Sequence, residues 1–368
     1  MNIVCDKSLL CAALDGVSKA VTTRSSIPVL EGVLLKAEGF QLTLTGYDLE
    51  MGIITTIEAN VRQPGEIVLN AKLLSDMARR MPSGEITIMV DDTGNTTIQG
   101  GVAQFEIQSM LAADYPDLPN TGAERTLTIK TGVLRDMIAR TLYAVSQDDR
   151  KPAHTGELFE IEPDKLTVVA LDGYRLAIVD RPVQATKDIR IIVPAKTMTE
   201  VNRLLSDDDD ADVHICANRR FVVFMTAGYT IMSRLIEGEF LNYRNVIPEG
   251  CRTRVTVETR DFIETIERAS LIITERLKNP LRVSFDSGRV TVRCQTNLGK
   301  VVDEFDAKIE GEPVEIGFNN RYLLDALRNA KADKVVMEIS GPLSPVKVLP
   351  AEGNDFIYLV LPVRFKND

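Results

Sequence analysis

The stretch GEIVLNAKLLSDMARRM at 65–81 reads as a β-branched strand, a polar turn and a helix opening on a basic residue, and the chain spells it twice more. The second copy is DIRIIVPAKTMTEVNRLL at 188–205 and the third is EPVEIGFNNRYLLDALRNA at 312–330. The opening cation is Lys72, Lys196 or Arg321, 124 and then 125 positions apart, and seven positions further on stands Arg79, Arg203 or Arg328. A helix turns about 100° per residue, so positions seven apart share a face. Apolar residues fall two, five and nine positions after the first cation: Leu74, Met77 and Met81; Met198, Val201 and Leu205; Leu323, Ala326 and Ala330. Each helix is therefore predicted to bury one stripe and to show two like charges on its back. One such helix would be an ordinary solvated face. Three with one spacing repeat a surface as well as a core.

Working outward, the same plan recurs around each copy. Residues 1–122 open with the strand NIVCD and a helix, KSLLCAALDGVSKAV, with Leu9, Leu10, Ala13, Leu14 and Val17 on one face. Strands, the repeated helix and further strands follow, and DYPDLP (114–119) closes the unit. Residues 123–250 repeat this with the helix TGVLRDMIARTLYAV, predicted to bury Val133, Leu134, Met137, Ile138, Leu142 and Val145, and close on NYRNVIP (242–248). Residues 251–368 run the same course through DFIETIERASLII. A period near 124 residues is far above solenoid lengths. The reading is three tandem α+β domains, each of about eight strands and two helices packed on antiparallel sheets.

Composition bounds the chemistry. At 368 residues with 44% hydrophobic and 26% charged residues, the chain is ordinary for a globular protein of two or three domains. There is no apolar run of about 18 residues and no secretory pattern in MNIVCDKSLLCAALDG. Five scattered cysteines without a CxxC pair suit reduced thiols, so a cytoplasmic protein is expected. The net charge of −10 speaks against gripping nucleic acid by bulk attraction, but the acids cluster at turn tips such as Asp207 to Asp210. His154 and His214 are the only histidines, and HExxH, GxxxxGK[ST] and GxSxG are all absent. Asp172 in LDGYR reads as an Asp-Gly turn. The acidic run lacks the alternating ligands of a calcium loop. A nuclease or polymerase would need clustered carboxylates for metal ions, and none stands out. No catalytic residue, metal or cofactor is expected.

Eight phrases carry a specific likeness: RSSIPVLEGVLL (24–35), LTGYDLEMG (44–52), AADYPDLP (112–119), ALDGYRLAI (170–178), IVPAK (192–196), EGEFLNYRNVIP (237–248), EIGFN (315–319) and YLVLPVR (358–364). With them, essentially the whole chain resembles the bacterial DNA polymerase III β subunit family, the sliding clamps. That resemblance implies a non-catalytic processivity subunit of a DNA polymerase holoenzyme in DNA replication. Two chains would join head to tail, twelve helices would line the hole, and duplex DNA would thread it without being read in sequence. The implied partners are the replicative polymerase catalytic subunit, an ATP-dependent clamp loader, and other clamp-binding repair and replication proteins. The implied place is the cytoplasm, beside the nucleoid.

The likeness and the helix geometry together nominate residues. Arg24, Arg79 and Lys196 are DNA-facing by resemblance, and Lys72, Arg140, Arg203, Arg276, Arg321 and Arg328 by helix face. The resemblance also implies a cleft for short, extended, apolar partner segments. Its lining would be His154, Leu171, Gly173, Tyr174, Arg175, Leu176, Leu241, Val246, Asn319, Tyr322, Leu343, Leu359, Leu361, Pro362, Val363 and Arg364. The sequence departs from the family pattern at His154, Leu241 and Asn245, and in the tail 365–368. The implied dimer interface is near Lys72, Phe105, Leu271, Ile272 and Glu304, so Lys72 stands in two sets. A scaffold that binds partner peptides without enclosing DNA is the other reading.

Overall fold

The computed structural model describes residues 1–82, 84–119, 122, 124–273 and 280–365. Six α-helices run through it: α1 (Lys7–Val17), α2 (Ala71–Arg80), α3 (Thr131–Thr141), α4 (Ala195–Leu204), α5 (Thr259–Ser270) and α6 (Asn320–Ala330). Every strand pairing is antiparallel. By its contacts the chain groups into two compact units, Met1–Gly132 with Thr199–Leu235 and Val133–Met198 with Ile236–Asp368. The second repeat is thus shared between them. Among the described residues no helix is long and apolar enough to cross a membrane.

The first unit holds two sheets. One has five strands in the order Asn60–Gln63, Asn2–Asp6, Glu85–Val90, Asn95–Gly100, Ala103–Gln108. The other has eight: Arg125–Lys130, Asp212–Ala217, Phe221–Thr226, Tyr229–Arg234, Met51–Glu58, Gln41–Tyr47, Gly32–Glu38 and Gly65–Asn70. Its middle joins two repeats, with Ile231 opposite Ile53. The hairpin Phe221–Arg234 turns at Ala227-Gly228, both with positive φ (46° and 79°), the two-residue geometry that matches strand twist.

The second unit has the matching pair. Nine strands run Ile189–Pro194, Gly156–Ile161, Lys165–Leu171, Arg175–Pro182, Ile357–Val360, Val346–Pro350, Lys334–Ile339, Thr253–Glu258 and Lys308–Gly311. Four more run Gly299–Asp306, Arg289–Thr296, Leu281–Asp286 and Val314–Phe318. Here Leu176 sits opposite Leu359, where a strand of the second repeat meets one of the third. Fusing sheets across repeats converts what would be two bare edges into one ladder.

The helices keep the predicted stripe. Leu74, Met77, Met81, Met198, Val201, Leu205, Leu323, Ala326 and Ala330 are all buried. Each buried Leu, Met or Val contributes about 1.5–3 kcal/mol relative to leaving it in water. Local chemistry sets where helices begin. The Asn70 side chain accepts from the Leu73 N–H, and Asn319 accepts from the Arg321 and Tyr322 N–H groups. The α1 face is narrower than predicted: Leu10, Ala13, Leu14 and Val17 are buried, but Leu9 is 44% exposed. In α3 and its continuation, Leu134, Met137 and Ile138 are buried, whereas Val133, Leu142 and Val145 are only partly so. The helix ends at Thr141 and a 3₁₀ turn over Leu142–Ala144 rotates the later residues off the stripe.

Candidate functional site

The cations of α2, α4 and α6 stand on the exposed backs of their helices: Lys72, Arg79, Lys196, Arg203, Arg321 and Arg328 are all exposed, as is Arg24 in the loop after α1. They are not bare. Arg79 donates to Asp15 of α1. Arg328 pairs with Glu267 of α5 at 2.6 Å. Both acids occupy the ninth position of their helix, where α3 has Ala139. Lacking that partner, Arg203 pairs with Glu200 of its own helix at 2.7 Å and reaches the Asp15 and Gly16 carbonyl oxygens at 3.4 Å. Arg321 is the loosest, 4.0 Å from Asp325 with its side chain 77% exposed. Exposed pairs of this kind contribute at most about 1 kcal/mol, so a phosphate competes with them readily. The seven-residue spacing shows the cations but not these partners, because the acids lie on the neighbouring helix.

Arg140 corrects the prediction. Its residue is 8% exposed and its guanidinium turns into the second unit. Nε donates to both Asp136 oxygens at 2.9 Å, Nη1 donates to the Ala330 carbonyl, and the Phe356 ring lies 5.4 Å away. It closes the C-terminus of α6, whose last carbonyls lack intrahelical donors. Arg140 is therefore a packing cation and leaves the DNA-facing set. Arg276 lies outside the described residues.

The residues nominated for the cleft all belong to the second unit, some of them buried and some exposed. Leu171, Leu176 and Leu359 are at most 3% exposed and pack with Phe240, Tyr243, Leu158, Val169 and Ile178. They are core residues, packed beneath the surface. Arg175, 9% exposed, is buried with them. Its Nε donates to Asp172 at 3.0 Å, Nη1 donates to Asp325 of α6, and the rings of Tyr322 and Tyr143 flank it at 4.8 and 5.4 Å. Asp172 also accepts from the Tyr174 and Arg175 N–H groups across Gly173, whose φ is +91°. The predicted Asp-Gly turn is what presents Tyr174.

Tyr174, Leu241, Val246, Leu343, Val363 and Arg364, by contrast, are all exposed. Tyr174 stacks on Tyr322 with centroids 5.8 Å apart. Burial pushes the Tyr322 phenol up and Asp172 adds to this, against the opposing Arg175 charge. The segment 361–364 runs beside them, with the Leu361 N–H donating to the Tyr174 carbonyl at 2.9 Å and Val363 to Gly317 at 2.8 Å. Leu361 and Pro362 are half-buried, and Asn319 caps α6. His154 packs edge-on against Phe240 at 5.5 Å, and burial, then Lys151, lowers its pKa. Leu343 stands 63% exposed in the turn after Lys334–Ile339.

Two of the nominated interface residues, Phe105 and Glu304, lie on outer strands. Phe105 lies on Ala103–Gln108, the outer strand of the five-stranded sheet, and is 38% exposed. Glu304 lies on Gly299–Asp306, the outer strand of the four-stranded sheet, paired with Arg289 at 2.7 Å. Leu271, just past α5, is 83% exposed, and Ile272 is half-buried.

Comparison with known proteins accounts for the whole chain. Models of the DNA polymerase III beta subunit match in series, the N-terminal domain at residues 1–119, the central domain at 128–242 and the C-terminal domain at 244–364. The beta sliding clamp of Halalkalibacterium halodurans is 31% identical over 99% of this chain and all of its own length. The DNA polymerase sliding clamp of Bacillus subtilis superposes with a TM-score of 0.96 at 29% identity, both chains covered in full. A sliding clamp of Bartonella birtlesii bound to griselimycin superposes at 0.94 and 29% identity, over 99% of this chain and 100% of that one. With three family models matched in series and a relative covered over its full length, this chain belongs to the DNA polymerase III beta subunit family, the beta sliding clamps, which are processivity factors and not catalysts.

Proposed function

We propose that two copies of this chain close head to tail around duplex DNA, and that each copy holds the replicative polymerase by an apolar peptide cleft. The domains would be residues 1–122, 123–250 and 251–368. The observation that carries the ring is the threefold helix: one buried triad and one exposed cation pair, kept at the same offsets in α2, α4 and α6. Lys72, Arg79, Lys196, Arg203, Arg321 and Arg328 would face phosphates with Arg24 and Arg276. Because Arg79, Arg203, Arg321 and Arg328 are already paired with acids, they would attract the backbone weakly and let it slide. The net charge of −10 suits a protein that holds its polymer by enclosure.

The edge strands carrying Phe105 and Glu304 are the natural seam. Phe105 of one copy would meet Leu271 and Ile272 of the other, with Lys72 near Glu304, and the two sheets would continue across the join. The cleft around Tyr174, Leu241, Val246, Tyr322, Leu343 and Val363 would take an extended apolar segment of a polymerase, of an ATP-dependent clamp loader or of other repair and replication proteins. Griselimycin, held by the Bartonella clamp, is a ligand with which to probe it. The setting would be the cytoplasm, beside the nucleoid.

The test is topological. Protein loaded on closed circular duplex should stay through a salt wash and leave once the circle is cut. Equal retention on circular and linear DNA would overturn the ring, and binding of partner peptides without DNA retention would leave only a scaffold.

A further inference from the structure

The segment 237–249 carries two cleft-lining side chains, Leu241 and Val246, yet belongs to no sheet. Among the described residues its backbone bonds are local: Asn245 N–H to the Asn242 carbonyl at 3.2 Å and Ile247 N–H to Arg244 at 3.4 Å. Burial of Phe240 and Tyr243 ties it down, but apolar contact is non-directional and does not fix how the segment is turned. One carboxylate supplies the direction. Glu160, on the strand Gly156–Ile161, accepts the Tyr243 hydroxyl on Oε2 at 2.6 Å. The same oxygen accepts Arg244 Nη2 at 2.7 Å, and Oε1 accepts Nη1 at 3.2 Å. The Arg244 guanidinium lies 4.7 Å over the Tyr243 ring, so ring and cation are held as one piece. Arg190, opposite Glu160 on the next strand, adds a contact at 3.4 Å.

We infer that Glu160 is a positioning residue of the cleft, latching 237–249 to the sheet through Tyr243 and Arg244 and thereby setting where Leu241 and Val246 stand. The inference rests on the cleft reading above. Burial pushes the Glu160 carboxyl up, but the hydrogen bonds from Arg244 and Tyr243 outweigh it and hold the group below the usual carboxylate range, so the latch is charged at neutral pH. Paired, charge-assisted bonds of this kind are both strong and directional.

Griselimycin binding to the full chain tests both levels. Wild type should bind and Val246→Asp should not; failure of either overturns the cleft reading and the latch with it. With those two results in hand, Glu160→Gln and Arg244→Ala should each raise Kd about tenfold, the effect of one charge-assisted bond. The double variant should be no weaker than the worse single, because both remove one interaction. Arg244→Lys should fall between, keeping charge but losing the fork. Unchanged Kd in Glu160→Gln, additive losses in the double variant, or losses that track Tm across the series would overturn the latch alone. Arg244 is half-exposed, so its variants keep the test open should Glu160→Gln fold poorly.

Discussion

The Thr141 hydroxyl lies 2.5 Å from Glu157 Oε1 and 2.8 Å from the Met137 carbonyl oxygen. A hydroxyl has one proton to give. If it goes to the carbonyl, the short contact to Glu157 needs a proton on the carboxyl. Glu157 is fully buried, Oε2 has no partner, and desolvation pushes its pKa up to about 8, against a small opposing pull from Thr141. The folded chain therefore holds this proton more tightly than the unfolded chain, where the group titrates near 4.5. The stability it confers is complete below that value and is lost as pH rises through about 8. Urea unfolding from pH 5 to 9 should show wild type losing up to about 1.4 kcal/mol per pH unit relative to Glu157→Gln. Parallel profiles for the two proteins would remove the protonated carboxyl from the account.

Arg140 leads to a prediction that separates packing from function. Its removal leaves the Ala330 carbonyl and Asp136 short of a donor inside the fold, although Arg181 at 2.8 Å and Lys331 at 3.7 Å still face Asp136. Arg140→Ala should cost on the order of 3 kcal/mol in urea unfolding, as breaking a buried ion pair does. The salt dependence of DNA association should stay as in wild type. A stable variant with a flattened salt slope would return Arg140 to the DNA-facing set.

The cationic helices predict opposite signs for two kinds of change. Neutralising Lys72, Arg79, Lys196 and Arg203 together should weaken DNA association and reduce the slope of log K against log salt by roughly 3–4, about 0.9 for each phosphate left without its cation. Asp15→Asn and Glu267→Gln should do the reverse, since each frees an arginine its acid now holds. Tighter DNA association in the double acid variant, measured by titration at several salt concentrations, is the expected result. An unchanged slope in both sets would mean that these helices do not face the duplex.

What is legible in the sequence follows from its periodicities. Offsets of two, five and nine from each cation mark nine buried residues, because a stripe on one helix is a local property. Arg140 misleads for the same reason: its face can be read from α3 alone, while its fate is decided by Ala330 and Phe356, about 190 and 216 positions away. The two closing phrases are visible as a repeat around Tyr115 and Tyr243, but not what their hydroxyls bond, Thr45 carbonyl in one case and Glu160 in the other. Leu171 and Leu359 lie beneath the surface because Phe240 and Tyr243, from a segment distant in sequence, pack in the same cluster, which no local pattern shows.

The seam between copies gives the last prediction. Phe105, on the outer strand of the five-stranded sheet, and Leu271, just past α5, are apolar side chains 38% and 83% exposed in the single chain. A charge at either place should leave each chain folded, because surface changes away from buried features alter stability by about 0.5 kcal/mol or less. It should break the association, because a carboxylate buried in an apolar join has no partner. Phe105→Asp and Leu271→Asp should therefore sediment as monomers at concentrations where wild type sediments as the proposed dimer, with unchanged circular dichroism. Both should slip from closed circular DNA as fast as from linear DNA, while griselimycin binding stays intact, since the residues proposed for the cleft all lie in one unit. Dimers that persist in both variants would place the seam elsewhere on the chain.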